Sequence, residues 1–241
     1  MREFGLQGTN KRNIVVDCDE VLVRISHKWV HLMHVKENFD YFSQLFRLSK
    51  DFSLGRDYEK VLQRPEYYLD KWLIRNDVLN NHSLEDFNEA RRELVKLYTD
   101  SEDYYGDLPP TNFANSLSII GRNSAVDKIT IVSKVHKGNE DLDNSKIAFI
   151  KNLFNGMNHK VDIYLVDIDG EKKSDVINQL DNVGLVYEDE LENIKDIITN
   201  SEGLSDMDIM IPSYGYNGGL EQKYYNLAAE RNINIKYYYD M

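Results

Sequence analysis

Asn13-Ile14-Val15-Val16-Asp17-Cys18-Asp19-Glu20-Val21-Leu22-Val23 stands near the start of the chain. Ile14, Val15 and Val16 form a short β-branched run of the kind that fills a strand buried on both faces of a parallel sheet. Two aspartates follow at once, one residue apart. Where a parallel strand ends, the next residues project into the crevice at the carboxyl edge of the sheet, the usual ligand site of α/β folds. Asp17 and Asp19 placed there offer hard oxygen donors suited to Mg²⁺ and phosphoryl chemistry.

Outward from this stretch the pattern turns helical. Ile25, Trp29, Leu32 and Met33 recur at helical spacing, and Phe39, Phe42, Leu45, Phe46 and Leu48 continue an apolar helical face. Tyr67, Tyr68, Leu69, Trp72 and Leu73 follow Pro65, which is expected in a helix's first turn. Ser83-Leu84-Glu85-Asp86 has the form of a capping box with Asp in the acidic position, opening a helix through Leu94, Leu97 and Tyr98. Asp107-Leu108-Pro109-Pro110 ends the helical region, because paired prolines stop helices.

From Asn112 strands and helices alternate. Strands are expected at 128–133, 161–166, 183–187, 207–211 and 233–239. Helices are expected at 113–120, 141–154, 173–180, 191–198 and 220–231. The fold class is therefore α/β, a doubly wound, mostly parallel, Rossmann-like sheet with an inserted all-helical domain. The core domain spans 1–23 and 112–241, and the helical insertion spans 24–111.

Composition narrows the function. The chain has 241 residues, 41% hydrophobic and 29% charged, which is ordinary for a globular protein with a sizeable core. No apolar run approaches the roughly 20 residues that span a bilayer, and the polar N-terminal segment Met1 to Arg12 lacks the apolar stretch of a signal peptide. The single cysteine, Cys18, excludes an intramolecular disulfide and fits a cytoplasmic protein. Between two carboxylates it makes a poor thiolate and a better buried filler. A net charge of −12 with only isolated basic pairs, Lys11-Arg12 and Arg91-Arg92, argues against long nucleic acid as a partner.

The sequence of signals from Asp17 onward resembles the haloacid dehalogenase (HAD) superfamily of aspartate-nucleophile phosphatases. The first motif of that family is an apolar strand followed by Asp-x-Asp, matched by Asp17 and Asp19. The second, a strand ending in Ser or Thr, is matched by Ser133 after Ile129-Thr130-Ile131-Val132. The third is a lysine opening the helix before the next motif strand; Lys172 and Lys173 both stand there, and Lys173 in Lys-Ser-Asp-Val-Ile is the closer match, with Lys146 a poorer one. The fourth is an apolar strand followed by two acidic residues, matched by Val186-Tyr187-Glu188-Asp189.

The resemblance implies that Asp17 attacks phosphorus and that Asp19 is a general acid and base. It gives Ser133 and Lys173 contact with the phosphoryl group, and lets Asp17, Asp19, Asp189 and Glu188 serve a Mg²⁺ ion. The helical insertion corresponds to a cap over the site. One departure stands out: Glu20 occupies a position that is usually Gly, and its carboxylate either crowds the metal site or points away from it.

The implied activity is a Mg²⁺-dependent phosphomonoesterase acting through an aspartyl-phosphate on a small phosphorylated substrate. An aromatic-rich cap (Phe39, Tyr41, Phe42, Phe46, Tyr67, Tyr68, Trp72) can stack a nucleobase, though most such rings fill a cap's own core. The segment Ile211-Pro212-Ser213-Tyr214-Gly215-Tyr216-Asn217 resembles the strand after the fourth motif in the 5'(3')-deoxyribonucleotidase branch. A nucleoside monophosphate is the expected substrate. A sugar phosphate, a polynucleotide end, or a HAD-fold binding module without catalysis are the alternatives. Glycines 215, 218 and 219 form no phosphate-binding loop signature.

Overall fold

The computed structural model describes residues 12–51, 53–73, 82–100, 104–135, 138–202 and 206–239. The polar segment 1–11, including Lys11, lies outside them. Six strands form one sheet: β1 (Arg12–Val16), β2 (Val126–Val135), β3 (Val161–Asp167), β4 (Val183–Tyr187), β5 (Met207–Pro212) and β6 (Ile233–Tyr238). The order across the sheet is β3-β2-β1-β4-β5-β6, and all five neighbouring pairs are parallel.

Successive side chains of a strand face opposite sides of its sheet, and β1 shows the consequence. Ile14 and Val16 pack into one apolar cluster, with Phe113, Leu117, Leu142, Phe149 and Ile150. Val15, between them, packs into the other, with Ile177, Ile194, Ile197 and Ile198. The first cluster rests on α6 (Asn112–Ile120) and α7 (Glu140–Leu153). The second rests on α8 (Lys173–Ile177), α9 (Leu191–Asn200) and α10 (Gln222–Glu230). Helices on both faces of an all-parallel sheet explain why the strands are continuous apolar runs rather than alternating ones.

The chain steps outward from β1 through β2 to β3, then restarts at β4 on the other side of β1 and steps outward through β5 to β6. The direction of winding reverses between β1 and β4. A crevice opens there at the carboxyl ends, because the connections leave in opposite directions.

Between β1 and α6 the described chain is helical: α1 (Ile25–His34), α2 (Lys36–Leu45), α3 (Leu54–Leu62), α4 (Leu69–Leu73) and α5 (Leu84–Thr99). These helices have a core of their own, built from Val30, Met33, Phe42, Phe46, Phe87 and Leu94 among others. Full burial of each large apolar side chain there is worth roughly 1.5–3 kcal/mol. Two tyrosines from the far end of the chain, Tyr214 and Tyr216, join that core. The insertion is thereby pinned to the loop after β5.

The expected capping box is present: Ser83 accepts from the Asp86 N–H while Asp86 accepts from the Ser83 N–H. Two local expectations are corrected. The apolar face from Ile25 to Leu48 is not one helix, since Val35 is extended between α1 and α2 and Phe46 and Leu48 lie beyond α2. Pro65 does not start a helix either. It follows Arg64, which is outside α3, and α4 begins only at Leu69. A proline disfavours helical backbone in the residue before it, so Pro65 acts as the stop for α3.

Candidate active site

Asp17 is the first residue past β1, and its N–H donates to the Tyr187 carbonyl at the end of β4 (2.9 Å). That bond ties the ends of the two strands flanking the winding reversal. Glu188 and Asp189 follow Tyr187 directly. Carboxylate oxygens of Asp17, Glu188 and Asp189 all lie within 4.8 Å of one another, and all three residues are buried.

One ammonium group sits among them. Lys173, at the start of α8 and 2% exposed, places Nζ 2.8 Å from Asp17 Oδ1 and 2.7 Å from Glu188 Oε2. Glu188 is held further by Glu190 N–H and Asn193 Nδ2, which both donate to its Oε1 at 3.1 Å. Asp189 Oδ2 accepts from the Tyr216 hydroxyl at 2.8 Å. Lys172, its neighbour, is solvated and lies 3.9 Å from Asp196.

The charges do not balance. Three carboxylates face one buried ammonium, and burial disfavours the ionised form of each acid. Burial pushes Glu188 up to about 7 although Lys173 pulls it down. Burial, then the charges of Glu188 and Asp17, raise Asp189 well above the usual carboxylate range. Lys173 is held above its ordinary value: burial works against it, and Asp17 and Glu188 more than offset that.

A cluster of oxygen donors with surplus negative charge suits a hard divalent cation. An ionised carboxylate has about four acceptor positions, and among the described residues Asp17 and Asp189 each spend only one on a side chain. The residues therefore fit a divalent metal.

Asp19 is not brought to those three. Its carboxylate accepts from the Tyr105 hydroxyl on Oδ1 (2.8 Å) and from Lys146 Nζ on Oδ2 (3.0 Å). Lys146 also donates to Ser133 Oγ and to the Lys134 carbonyl, each at 3.0 Å. Ser133 is fully buried and lies within β2, which runs two residues further than the sequence suggested. Asp19 and Ser133 thus meet through Lys146 on one side of Asp17, while Lys173, Glu188 and Asp189 stand on the other.

Sequence reasoning ranked Lys146 below Lys173, and it singled out neither Tyr105 nor Tyr216 as a site residue. A signal for Lys146 existed. It lies four residues after Leu142 and three before Phe149 on the buried face of α7, a place where a lysine needs a partner.

Glu20 neither joins the three carboxylates nor reaches solvent. Its backbone is left-handed, with φ +57°, which is where glycine is favoured. Its buried side chain accepts the Ser26 N–H in the first turn of α1, and its carbonyl accepts from the Tyr214 hydroxyl (2.9 Å). A carboxylate at a helix N-terminus satisfies an otherwise orphaned donor. Burial still raises its pKa, against the nearby Arg64 and the Ser26 bond. Cys18 is buried and its thiol is pushed well up, by burial first and then by Asp19.

Over Asp19 a cavity of about 330 Å³ separates the helical insertion from the sheet. Trp29, Arg64, Tyr67, Tyr68 and Arg91 line it from the insertion, and Ile168 from the loop after β3. Of the aromatic residues picked from the sequence, Phe42 and Phe46 are buried in the insertion's own core. Tyr67 and Tyr68 face the cavity.

Fold and site together define a capped α/β protein with a buried acidic cluster at the winding reversal of its sheet. No protein-family model and no curated protein matches the sequence. Several solved structures are similar over nearly their whole length. A haloacid dehalogenase-like protein of unknown function from Agrobacterium tumefaciens is 15% identical, with a TM-score of 0.48 over 94% of this chain and 93% of its own. A HAD-superfamily hydrolase, subfamily IA, from Geobacter sulfurreducens is 12% identical, with a TM-score of 0.45 over 91% and 99%. A haloacid dehalogenase-like family hydrolase from Xanthomonas campestris is 8% identical, with a TM-score of 0.42 over 94% and 90%.

Proposed function

We propose that the chain is a HAD-like, Mg²⁺-dependent phosphomonoesterase that hydrolyses a nucleotide or a similar small phosphate. The observation that carries this reading is the placement of Asp17 beside Lys173, Glu188 and Asp189, buried at the sheet's winding reversal. A Mg²⁺ ion held by Asp17, Glu188 and Asp189 would supply neutralisation of phosphate charge.

In this reading a carboxylate oxygen of Asp17 attacks phosphorus. The bond from phosphorus to the ester oxygen breaks, and an aspartyl-phosphate forms. Asp19 gives its proton to the leaving alkoxide. It then takes a proton from water as that water attacks the aspartyl-phosphate, which releases inorganic phosphate and restores Asp17. Lys173 neutralises charge as it develops. Lys146 and Tyr105 fix the Asp19 carboxyl, and Lys146 orients the Ser133 hydroxyl. The helical insertion limits water at the site.

The nucleotide preference rests on the cavity above Asp19, whose lining includes the aromatic residues Trp29, Tyr67 and Tyr68 and the basic residues Arg64 and Arg91. A HAD-fold module without catalysis would be favoured by a Glu20 carboxylate crowding the metal site, but that side chain is engaged with α1.

A panel of phosphomonoesters with Mg²⁺ tests the proposal. Turnover of nucleoside monophosphates above sugar phosphates is expected, with Asp17→Asn lowering kcat by at least about 10⁴-fold while the fold persists, as for loss of a covalent nucleophile. No turnover of any ester by the folded wild type would overturn it.

A further inference from the structure

The segment Ser213-Tyr214-Gly215-Tyr216-Asn217 after β5 is absorbed by none of the steps above, yet it touches both the acidic cluster and the cap. From the Tyr216 hydroxyl, Asp189 Oδ2 is 2.8 Å away. The ring of the same residue is held by the cap. The Arg64 guanidinium lies 4.5 Å over its centroid, and the Tyr67 ring meets it edge-on at 5.3 Å and 77°.

Arg64 is itself immobilised: it is 3% exposed, and its guanidinium donates to the Val61 carbonyl at 2.7 Å and to the Tyr67 carbonyl at 2.9 and 3.3 Å. The two backbones also press together. A Cβ on Gly215 would come within 2.2 Å of the Gln63 carbonyl oxygen and 2.6 Å of that of Arg64. Only glycine permits that approach.

We propose that Tyr216 is a positioning residue that orients Asp189 for the metal, and that it does so only while the cap is docked. The inference rests on the reading of Asp17, Glu188 and Asp189 as a divalent-metal site. Groups that orient a ligand without touching the ion tune affinity strongly. Among the described residues the Tyr216 hydroxyl is the only side-chain donor to the Asp189 carboxylate; Asn217 Nδ2 donates instead to the Asp189 backbone carbonyl at 3.3 Å. With the cap displaced, Arg64 and Tyr67 depart with it, the ring keeps only Tyr214 of its own loop among these ring partners (5.6 Å between centroids), and the carboxylate loses its orientation. Cap residues that never approach the ion thereby set its affinity.

Mg²⁺ binding by isothermal titration of the full chain, without substrate, is the readout, with Tb³⁺ luminescence as a second probe. Tyr216→Phe keeps the ring and removes the hydroxyl, and should weaken Mg²⁺ binding by about 10–100-fold with an unchanged circular dichroism spectrum. Gly215→Ala forces cap and loop apart without altering any polar side chain, and should weaken binding comparably. The double variant should bind within about twofold of the weaker single, because both changes break one linkage.

Wild-type-like affinity in Tyr216→Phe, with Asp189→Asn abolishing binding, would overturn the proposal and leave the metal site standing. Full affinity in Gly215→Ala beside a weakened Tyr216→Phe would overturn the dependence on the cap. A wild type that binds no divalent ion would overturn the metal site and the proposal together. Should Gly215→Ala not fold, Tyr67→Leu removes the edge-on ring contact instead, and the same outcomes apply.

Discussion

At Asp189, burial and neighbouring negative charge both favour the protonated acid, and the Tyr216 hydrogen bond opposes them. Its value in the folded, metal-free protein therefore lies above the unfolded one. In the interval between the two, the folded state holds more protons than the unfolded state, so this group's contribution to stability falls as pH rises. Asp189→Asn removes the cost and keeps an acceptor for Tyr216. With metal chelated, the variant should melt higher than wild type, by about 2–4 °C for each kcal/mol relieved in a domain of this size. The advantage should be larger at pH 8 than at pH 5. A difference independent of pH would show that Asp189 is ionised throughout.

The residues legible from sequence were those with a strand to announce them. Asp17, Ser133 and the Glu188-Asp189 pair follow or belong to apolar runs, and the lysine before β4 opens a helix. Lys146 and Tyr105 reach Asp19 from a helix interior and from the cap's return segment, where spacing along the chain says nothing about partners across it. Glu20 was legible as a departure, but its consequence was not. A left-handed φ and a bond to Ser26 are properties of the turn, invisible in the residue's name.

Among the elements, α5 is the one whose start the sequence defined most sharply, because both halves of its capping box are local. Ser83→Ala should cost about 1 kcal/mol. Since Ser83 is remote from the metal carboxylates, Mg²⁺ affinity should stay unchanged. A calorimetric melt and a titration on the same variant check both halves, and a loss of Mg²⁺ affinity would mean that cap stability alone controls the site. The breaks at Val35 and Pro65 were misread for a common reason. Apolar spacing persists through a break when both flanking segments pack against one core, as Met33, Phe42 and Phe46 do. Periodicity then records burial and not continuity. The misplaced turn around Pro65 is also the one that presents Arg64 to Tyr216.

In the whole molecule, one reversal of winding places Asp17 and the Glu188-Asp189 pair side by side although some 170 positions separate them in the chain. The doubly wound, mostly parallel class followed from alternating elements, since few topologies satisfy the rules of parallel sheets. The contact between the β5 loop and the cap had no such rule behind it and was not legible.

That contact has a consequence at full scale. If docking of the cap strengthens metal binding, the metal must strengthen docking by the same factor, because coupling between two equilibria is reciprocal. Saturating Mg²⁺ should therefore slow amide hydrogen exchange in α3, which leads directly into Gln63 and Arg64 against Gly215. The slowing should approach the 10–100-fold loss of affinity expected for Tyr216→Phe. In that variant, Mg²⁺ at a concentration that still saturates the weakened site should leave exchange in α3 nearly unchanged while it continues to protect α8, whose Lys173 touches the carboxylates directly. Equal protection of α3 in wild type and variant would mean that the ion stabilises the entire fold by mass action alone, with no path through Tyr216.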